Sequence, residues 1–478
     1  MKYIVPAKFV ALMIVLSSSV AAQEVPDGPA LYQQFCAQCH GADLQGGNAQ
    51  SLVDGVWNFG AGKGYVSRNI KHGITHLGMP AYEETLNDDQ LKALVDYILG
   101  AEKTAGVEKP APPTEIQTHD YVVGVAQIAT GLEVPWGIAF PDDKTVLVTE
   151  RPGRLRLIND GVLAEKPVAG TPEVLAEGQG GLMDVAVDPN YAENGWVYLA
   201  YSHAAKEKPK EGPVPAMTRI VRGNIVKGKW KHEEVVFEAP AETYLPTRPH
   251  YGSRIVFDRE GRLYFGIGDR GMQDMAQDPA RPNGKIHRIN TDGTIPADNP
   301  FLNTPGTLPS IYALGNRNPQ GLAFHPEDNT LWESEHGPMG GDELNVIQPG
   351  RNYGWPIATY GRNYNGQPVS DSPHHEGVEE PTWIWRPSIA VCGIDFHTGV
   401  QFPLWKNALL VASLRHEEVS VVRVTENRVQ HIESILRNVG RVRDVACAPD
   451  GSVYVVTNDP GAVLKLTMTR ERKYTAGD

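Results

Sequence analysis

Six times along this chain a short apolar run, a polar turn and a second apolar run follow one another, with no amphipathic helix between them. Gly137-Ile138-Ala139-Phe140 leads to Val146-Leu147-Val148-Thr149, and Asp184-Val185-Ala186-Val187 leads to Trp196-Val197-Tyr198-Leu199. Arg254-Ile255-Val256-Phe257 leads to Leu263-Tyr264-Phe265, and Gly321-Leu322-Ala323-Phe324 to Leu331-Trp332. Gly393-Ile394-Asp395-Phe396 leads to Leu409-Leu410-Val411, and Asp444-Val445-Ala446-Cys447 to Val453-Tyr454-Val455-Val456. The units recur at intervals of roughly 50 to 70 residues, the self-similarity of radially repeated sheets. An all-β, six-bladed β-propeller over residues 120–470 is therefore predicted, with a sandwich or two separate β domains as the alternative.

Four polar residues fall at nearly equivalent places on this repeat. Gln179, His250, Arg317 and Arg441 each lie six to eight residues ahead of the end of a first strand, in four different units. In a propeller the first strands line the central channel, so these positions should meet at one end of the axis. A histidine there is a candidate base. Arg317, Arg441 and Arg443 offer planar cationic forks suited to carboxylates or a quinone oxygen. One arginine at a loop end is ordinarily a solvated charge; the shared register is what points to a site.

The N-terminal part has a different grammar. Lys2 and Lys8 precede an apolar run from Phe9 to Val20, and Val20-Ala21-Ala22 resembles a signal-peptidase site, so residues 1–22 read as an export signal. That run is short for a membrane span and no other segment approaches one, so a soluble chain in a bacterial periplasm is expected. A formal net charge of -13 argues against nucleic acid or an anionic membrane as partner. Cys36-Ala37-Gln38-Cys39-His40 then gives two thiols at the spacing that attaches a c-type haem, followed by a histidine placed to ligate its iron. Met79, in Gly78-Met79-Pro80, would be the opposite axial ligand, a pairing that raises the reduction potential. Leu31, Tyr32, Phe35, Cys36 and Cys39 recur at helical spacing. Asn87 to Gln90 reads as a helix start, Leu91, Leu94, Val95, Ile98 and Leu99 as one apolar stripe, and Gly100 as the stop. Residues 23–105 thus resemble a small all-α, class I cytochrome c domain, and the Pro-containing stretch 106–119 reads as a solvated linker.

Further motifs carry a second resemblance. Gly178-Gln179-Gly180-Gly181, His250-Tyr251-Gly252-Ser253-Arg254, Gly266-Ile267-Gly268-Asp269, Gly315-Asn316-Arg317-Asn318-Pro319-Gln320-Gly321, Glu335-His336-Gly337-Pro338, Gly341-Asp342-Glu343, Asn352-Tyr353-Gly354-Trp355 and Arg441-Val442-Arg443-Asp444 look like the soluble, pyrroloquinoline-quinone (PQQ)-dependent glucose and aldose sugar dehydrogenases. The resemblance implies oxidation of the C1 hydroxyl of an aldose to a lactone by hydride transfer to PQQ held over a calcium ion. It implies His250 as general base and Arg317 as the group that stabilises charge on the reduced quinone. Gln179, Asn318, Arg441 and Arg443 match cofactor contacts, and Arg415 stands where the family has a cofactor-binding lysine. The main-chain oxygens of Gly337 and Pro338 match ligands of the calcium (Ca2+) at the quinone, with Asp342, Glu343 and Tyr353 building a second calcium site. Electrons would pass to the covalently bound haem c and on to a downstream cytochrome or terminal oxidase.

The chain also departs from the glucose enzymes. Pro249 stands where they carry an aspartate that orients the base, Asn316 where a histidine is common, and Arg386 where an aromatic residue covers the cofactor. Cys392 interrupts a more usual Pro-Ser-Gly. These changes favour the aldose branch over a strict glucose enzyme. Cys392 and Cys447, near the first strands of neighbouring units, allow either a disulfide or two separate thiols. Other propeller functions to weigh are a calcium-dependent lactonase or esterase and a non-catalytic sugar- or protein-binding propeller; the arginine-rich axis and the tethered haem motif speak against both.

Overall fold

Each of the six predicted strand pairs is the inner half of an antiparallel sheet. The computed structural model describes residues 27–57, 62–75, 78–106, 111–207 and 209–473. The export signal at 1–22 lies outside the described residues. The chain divides into two compact units, a helical one that ends with the helix Asp88–Ala105 and a second, beginning beyond it, that holds all the sheets; the short stretch 55–61 groups with the second.

In the helical unit, helices span Gly28–Phe35, Ala37–His40, Lys63–His72 and Asp88–Ala105. The last begins on a capping box: Gln90 N–H donates to Asn87 Oδ1 at 2.9 Å and Asn87 N–H to Gln90 Oε1 at 3.1 Å. Its stripe of Leu91, Leu94, Val95 and Ile98 is buried. Gly28 lets the first helix cross it closely, because a Cβ there would lie 2.5 Å from the Ala93 carbonyl oxygen. Gly100 does not stop this helix. An isolated glycine costs a helix about 1 kcal/mol, and Ala101, Glu102, Lys103 and Ala105 are good helix formers, so the helix runs on until Gly106 caps it in the left-handed conformation.

In the sheet unit, five sheets have four strands and the sixth has five. The first strands are Pro135–Ala139, Leu182–Val187, Ile255–Phe257, Pro319–Phe324, Val391–Phe396 and Val442–Cys447. Each packs against the first strand of the next sheet, the last against the first, so the six form a ring. This is a six-bladed β-propeller.

Carboxylates stitch the ring from inside. Asp184 accepts the N–H of Ile255 at 2.7 Å, Asp395 that of Cys447 at 2.8 Å, and Asp444 that of Ile138 at 3.2 Å. Glycine is needed opposite two of them, since a Cβ at Gly137 would lie 2.5 Å from Asp184 Oδ1 and one at Gly393 1.9 Å from Asp444 Oδ1. Arg254 bridges the pair, donating through Nη1 to Asp184 at 2.8 Å and to Asp444 at 2.7 Å, so one cation is shared between two carboxyl groups.

The sixth sheet closes the ring with both ends of the unit. Its order is Glu115–Gln117, Tyr121–Thr130, Gly461–Glu471, Val453–Asn458, Val442–Cys447. The strand Glu115–Gln117 falls within the stretch expected to be a linker, because Glu115, Ile116 and Gln117 pair with Gly124, Val123 and Val122. Cys392 and Cys447 are free thiols, not a disulfide. They sit near opposite ends of neighbouring first strands, Cys392 against Gln320 and Arg443, Cys447 against Thr398.

Candidate functional sites

The helical unit presents Cys36, Cys39 and His40 on one short turn. Cys39 N–H and His40 N–H both donate to the Cys36 carbonyl, at 3.1 and 3.0 Å, which sets the two thiols one helical turn apart. His40 Nδ1 lies 2.9 Å from the Gln50 carbonyl oxygen, an acceptor only, so Nδ1 carries the proton and Nε2 keeps its lone pair for a metal. Burial, with Cys39 beside it, pushes the Cys36 thiol up to about 11. Met79 is fixed by a two-way bridge with Ile74, Ile74 N–H to Met79 O at 3.0 Å and Met79 N–H to Ile74 O at 3.3 Å. Two free thiols, one directed imidazole and a thioether are a donor set that fits a covalent haem.

In the propeller, residues far apart in sequence meet at one end of the axis. His250 Nδ1 lies 2.6 Å from Asp269 Oδ1, and its side chain is 14% exposed. An ionised carboxylate only accepts, so the ring proton sits on Nδ1 and Nε2 is left as the basic atom. Asp269 is held in turn by Trp355 Nε1–H at 2.8 Å and Gly271 N–H at 2.7 Å. Gln179 Oε1 accepts the main-chain N–H of His250 at 2.8 Å, so Gln179 anchors the base through its backbone. Burial holds the imidazole below its ordinary range; the Asp269 hydrogen bond opposes this, while the charges of Arg317 and Arg270 add to it. For Asp269 burial acts upward, but the hydrogen bond and charge of His250 and the charge of Arg317 outweigh it and keep the carboxyl low. The arrangement is a neutral base oriented by an ionised carboxylate.

Arg317 is 7% exposed, lies 5.2 Å over the Trp355 ring, and donates to the carbonyls of His336 at 3.0 Å and Gly337 at 2.8 Å. Asn318 Oδ1 accepts Gly252 N–H at 3.2 Å, beside the base. His336 N–H donates to Asn318 O at 3.2 Å, and burial, with the charges of Arg443, Arg317 and His250, holds its imidazole far below the usual histidine range. Arg443 donates to Gln320 Oε1 at 3.0 Å and to Cys392 Sγ at 3.3 Å, over Trp136. The proximity of Arg443 depresses both Arg441 and Arg151, after the larger effect of burial. Arginines crowded this way call for an anion of several charges, which fits a quinone bearing carboxylates. Arg415 is tied by its N–H to Ile389 O at 3.0 Å, next to Ser388. Arg386 is exposed and donates to Tyr360 O at 2.9 Å.

The expected cation ligands divide. Gly337 O accepts from Arg317 and Pro338 O from Ser388 Oγ at 3.0 Å, so each carbonyl keeps a lone pair for a hard cation. Asp342 and Glu343 are neighbours on one strand and leave by opposite faces. Asp342 accepts Gly337 N–H at 3.1 Å and Val391 N–H at 3.2 Å and so clamps loops, whereas Glu343 lies opposite Glu335. The Tyr353 hydroxyl donates to Val346 O at 2.7 Å and accepts Gln348 N–H at 2.8 Å, which leaves its main-chain oxygen as the possible ligand. Among the described residues no three His, Cys, Asp or Glu side chains converge as a metal-binding group.

Residues 132–465 match the protein family described as Glucose / Sorbosone dehydrogenase. The chain belongs to that family. Residues 23–98 match the family described as Cytochrome C oxidase, cbb3-type, subunit III. The aldose sugar dehydrogenase of Escherichia coli is 38% identical over 350 residues, covering 72% of this chain and 93% of that one. The cbb3-type cytochrome c oxidase subunit CcoP of Rhodobacter capsulatus is 39% identical over 85 residues, 15% of this chain and 28% of its own length. The crystal structure of the E. coli aldose sugar dehydrogenase in the apo-form superposes with a TM-score of 0.68 at 37% identity, covering 72% of this chain and 99% of that one. The PQQ-bound aldose sugar dehydrogenase of Streptomyces coelicolor gives 0.60 at 28% identity, covering 75% and 99%.

Three residues of the site have no assigned role in the sequence and gain one from the structure. Asp269 was visible only as part of a motif, without a role, because Pro249 occupies the place where an orienting aspartate was sought. Trp355 and Arg151 enter only through contacts across blades. A signal for Asp269 existed: it ends Gly266-Ile267-Gly268-Asp269 just beyond a second strand, at the His250 end of the axis.

Proposed function

We propose that this chain is a periplasmic quinoprotein aldose dehydrogenase that oxidises the C1 hydroxyl of an aldose to a lactone and passes the electrons to its own haem c. The observation that carries the reading is the His250–Asp269 pair, 2.6 Å apart, with the charge of Arg317 acting on both. When bound, the quinone supplies a two-electron acceptor and the haem a one-electron carrier. His250 Nε2 takes the proton of the sugar hydroxyl. Asp269 keeps the ring in the tautomer that leaves Nε2 basic and then stabilises the imidazolium. Such a positioned base accelerates proton transfer by about 10²–10⁴-fold. Arg317 places positive charge where negative charge builds. Arg441, Arg443, Arg415 and Asn318 would hold the cofactor, and the main-chain oxygens of Gly337 and Pro338 would bind a calcium ion that acts as a Lewis acid. Glu343 and the Tyr353 carbonyl are the ligands for a second calcium. Cys36, Cys39, His40 and Met79 hold the haem, with a downstream cytochrome or terminal oxidase as the final acceptor.

The test is direct. Purified protein is mixed anaerobically with PQQ, calcium and a panel of aldoses, and the reduced-haem absorption bands are followed. Haem reduction that requires sugar, quinone and calcium together is expected; no reduction with any aldose would overturn the reading. Independence of the rate from protein concentration would place the electron transfer within one chain.

A further inference from the structure

The residue next to Asp269 is the least conventional group near the base. Arg270 is fully buried and its guanidinium spends its hydrogen bonds on main-chain carbonyls, Nη1 on Pro249 O and Nη2 on Thr247 O at 2.7 Å. Its carbon Cζ lies 3.3 Å from the centre of the Tyr251 ring. Burying a guanidinium is costly, so its donors ought to secure something that cannot secure itself. The segment they secure is the one that carries His250. Pro249 has no N–H with which to tie the loop, and Arg248 is turned away to Glu177 at 2.7 Å and to the Val214 carbonyl at 3.0 Å. His250 itself has φ +53°, a left-handed conformation that a non-glycine residue keeps only when its surroundings enforce it. Arg270, at φ +59°, is in the same region on the opposing turn.

We propose that Arg270 is a positioning residue for His250, acting through the backbone while Asp269 acts through the ring. The two neighbours divide the task. Arg270 grips the carbonyls before the base and the aromatic ring after it, and Asp269 fixes the imidazole at Nδ1. Gln179, from another blade, holds the His250 N–H. The proposal rests on His250 as the base of the reaction proposed above.

The test uses the full chain with Arg270→Gln and Arg270→Lys. Loaded with PQQ and calcium and assayed with a small artificial acceptor, Arg270→Gln should lower kcat about 10- to 100-fold, the scale of a small misplacement of a catalytic group. KM for the aldose and the affinity of the apo protein for PQQ, followed by titration, should be unchanged. Arg270→Lys should fall between, because an ammonium still donates to both carbonyls. A second reading needs no turnover. In the apo protein the His250 Nδ1–H proton, identified by its absence in His250→Asn, should give a low-field NMR resonance that Arg270→Gln broadens or abolishes. Unchanged kcat with an intact resonance overturns the proposal, as does a fall in kcat matched by an equal loss of PQQ affinity. If Arg270→Gln does not fold, Arg270→Lys and Tyr251→Leu carry the same two readings, and wild-type behaviour in both overturns it. Wild-type protein that oxidises no aldose removes the proposed function, while the resonance still reports whether Arg270 holds the His250 backbone where Asp269 can reach the ring.

Discussion

The two units build their sites in opposite ways. Every haem-motif residue lies between Cys36 and Met79, and the thiols and imidazole share one helical turn. The propeller collects its residues from Gln179 to Arg443, and no two blades can place them until neighbouring first strands are in register. A local site tolerates damage elsewhere and fails when one of its own residues is lost. A site assembled by ring closure also fails through residues that never touch it.

The largest predicted effect tests that separation. With Cys36→Ser and Cys39→Ser together, covalent haem should disappear from a denaturing gel stained for haem. Oxidation of aldose by small acceptors that reach the quinone directly should continue; its loss would mean that the units do not work separately. Next comes His250→Ala, which should lower turnover by about 10²–10⁴-fold with PQQ binding retained. In the wild type, burial holds the His250 pKa below its ordinary value near 6.5, so the basic form survives to lower pH. The acid limb of kcat/KM should therefore fall below that of a free histidine, and a limb above 6.5 would contradict the assignment.

A structural residue of the propeller sharpens the contrast. Arg254 binds no cofactor in this reading, yet Arg254→Met leaves Asp184 and Asp444 buried together without their cation. Breaking such a group costs about 3–5 kcal/mol, read as a lowered denaturation midpoint of the propeller with the haem spectrum unchanged. The smallest effect belongs to the helical unit. Asn87→Ala removes a cap and should cost about 0.5–2 kcal/mol in the stability of that unit alone, measured by haem-band loss during denaturation.

The same division explains what could be read from the sequence. The inner strand pairs were legible because they are buried on both faces and apolar throughout, as in Val146–Val148 and Val453–Val456. Outer strands were not. Lys229–Glu238 is mostly exposed and polar, and its place is set by pairing with Ala216–Val226 rather than by its own pattern. Glu115–Gln117 looked like linker for the same reason: three residues without periodicity become a strand only beside Tyr121–Thr130. In the site, the register of Gln179, His250, Arg317 and Arg441 is a property of the repeat and so was visible. The roles of Asp269, Arg270 and Trp355 depend on which loop ends meet, which the repeat does not encode. Separating Asp342 from Glu343 required only the alternation of a strand, once the strand was known.

The five-stranded closing sheet also sets a timetable. Its strand Gly461–Glu471 lies between Tyr121–Thr130 and Val453–Asn458, so the ring cannot be completed until nearly the last of the chain is available. The last helix of the helical unit ends at Ala105, so its helices can pack before that strand is available. Folding is thereby ordered by topology: the helical unit can be folded while the propeller is still an open chain. Tyr121–Thr130 must wait, unpaired on one edge, for a partner made some 330 residues later, a long-range pairing of the kind that folds slowly.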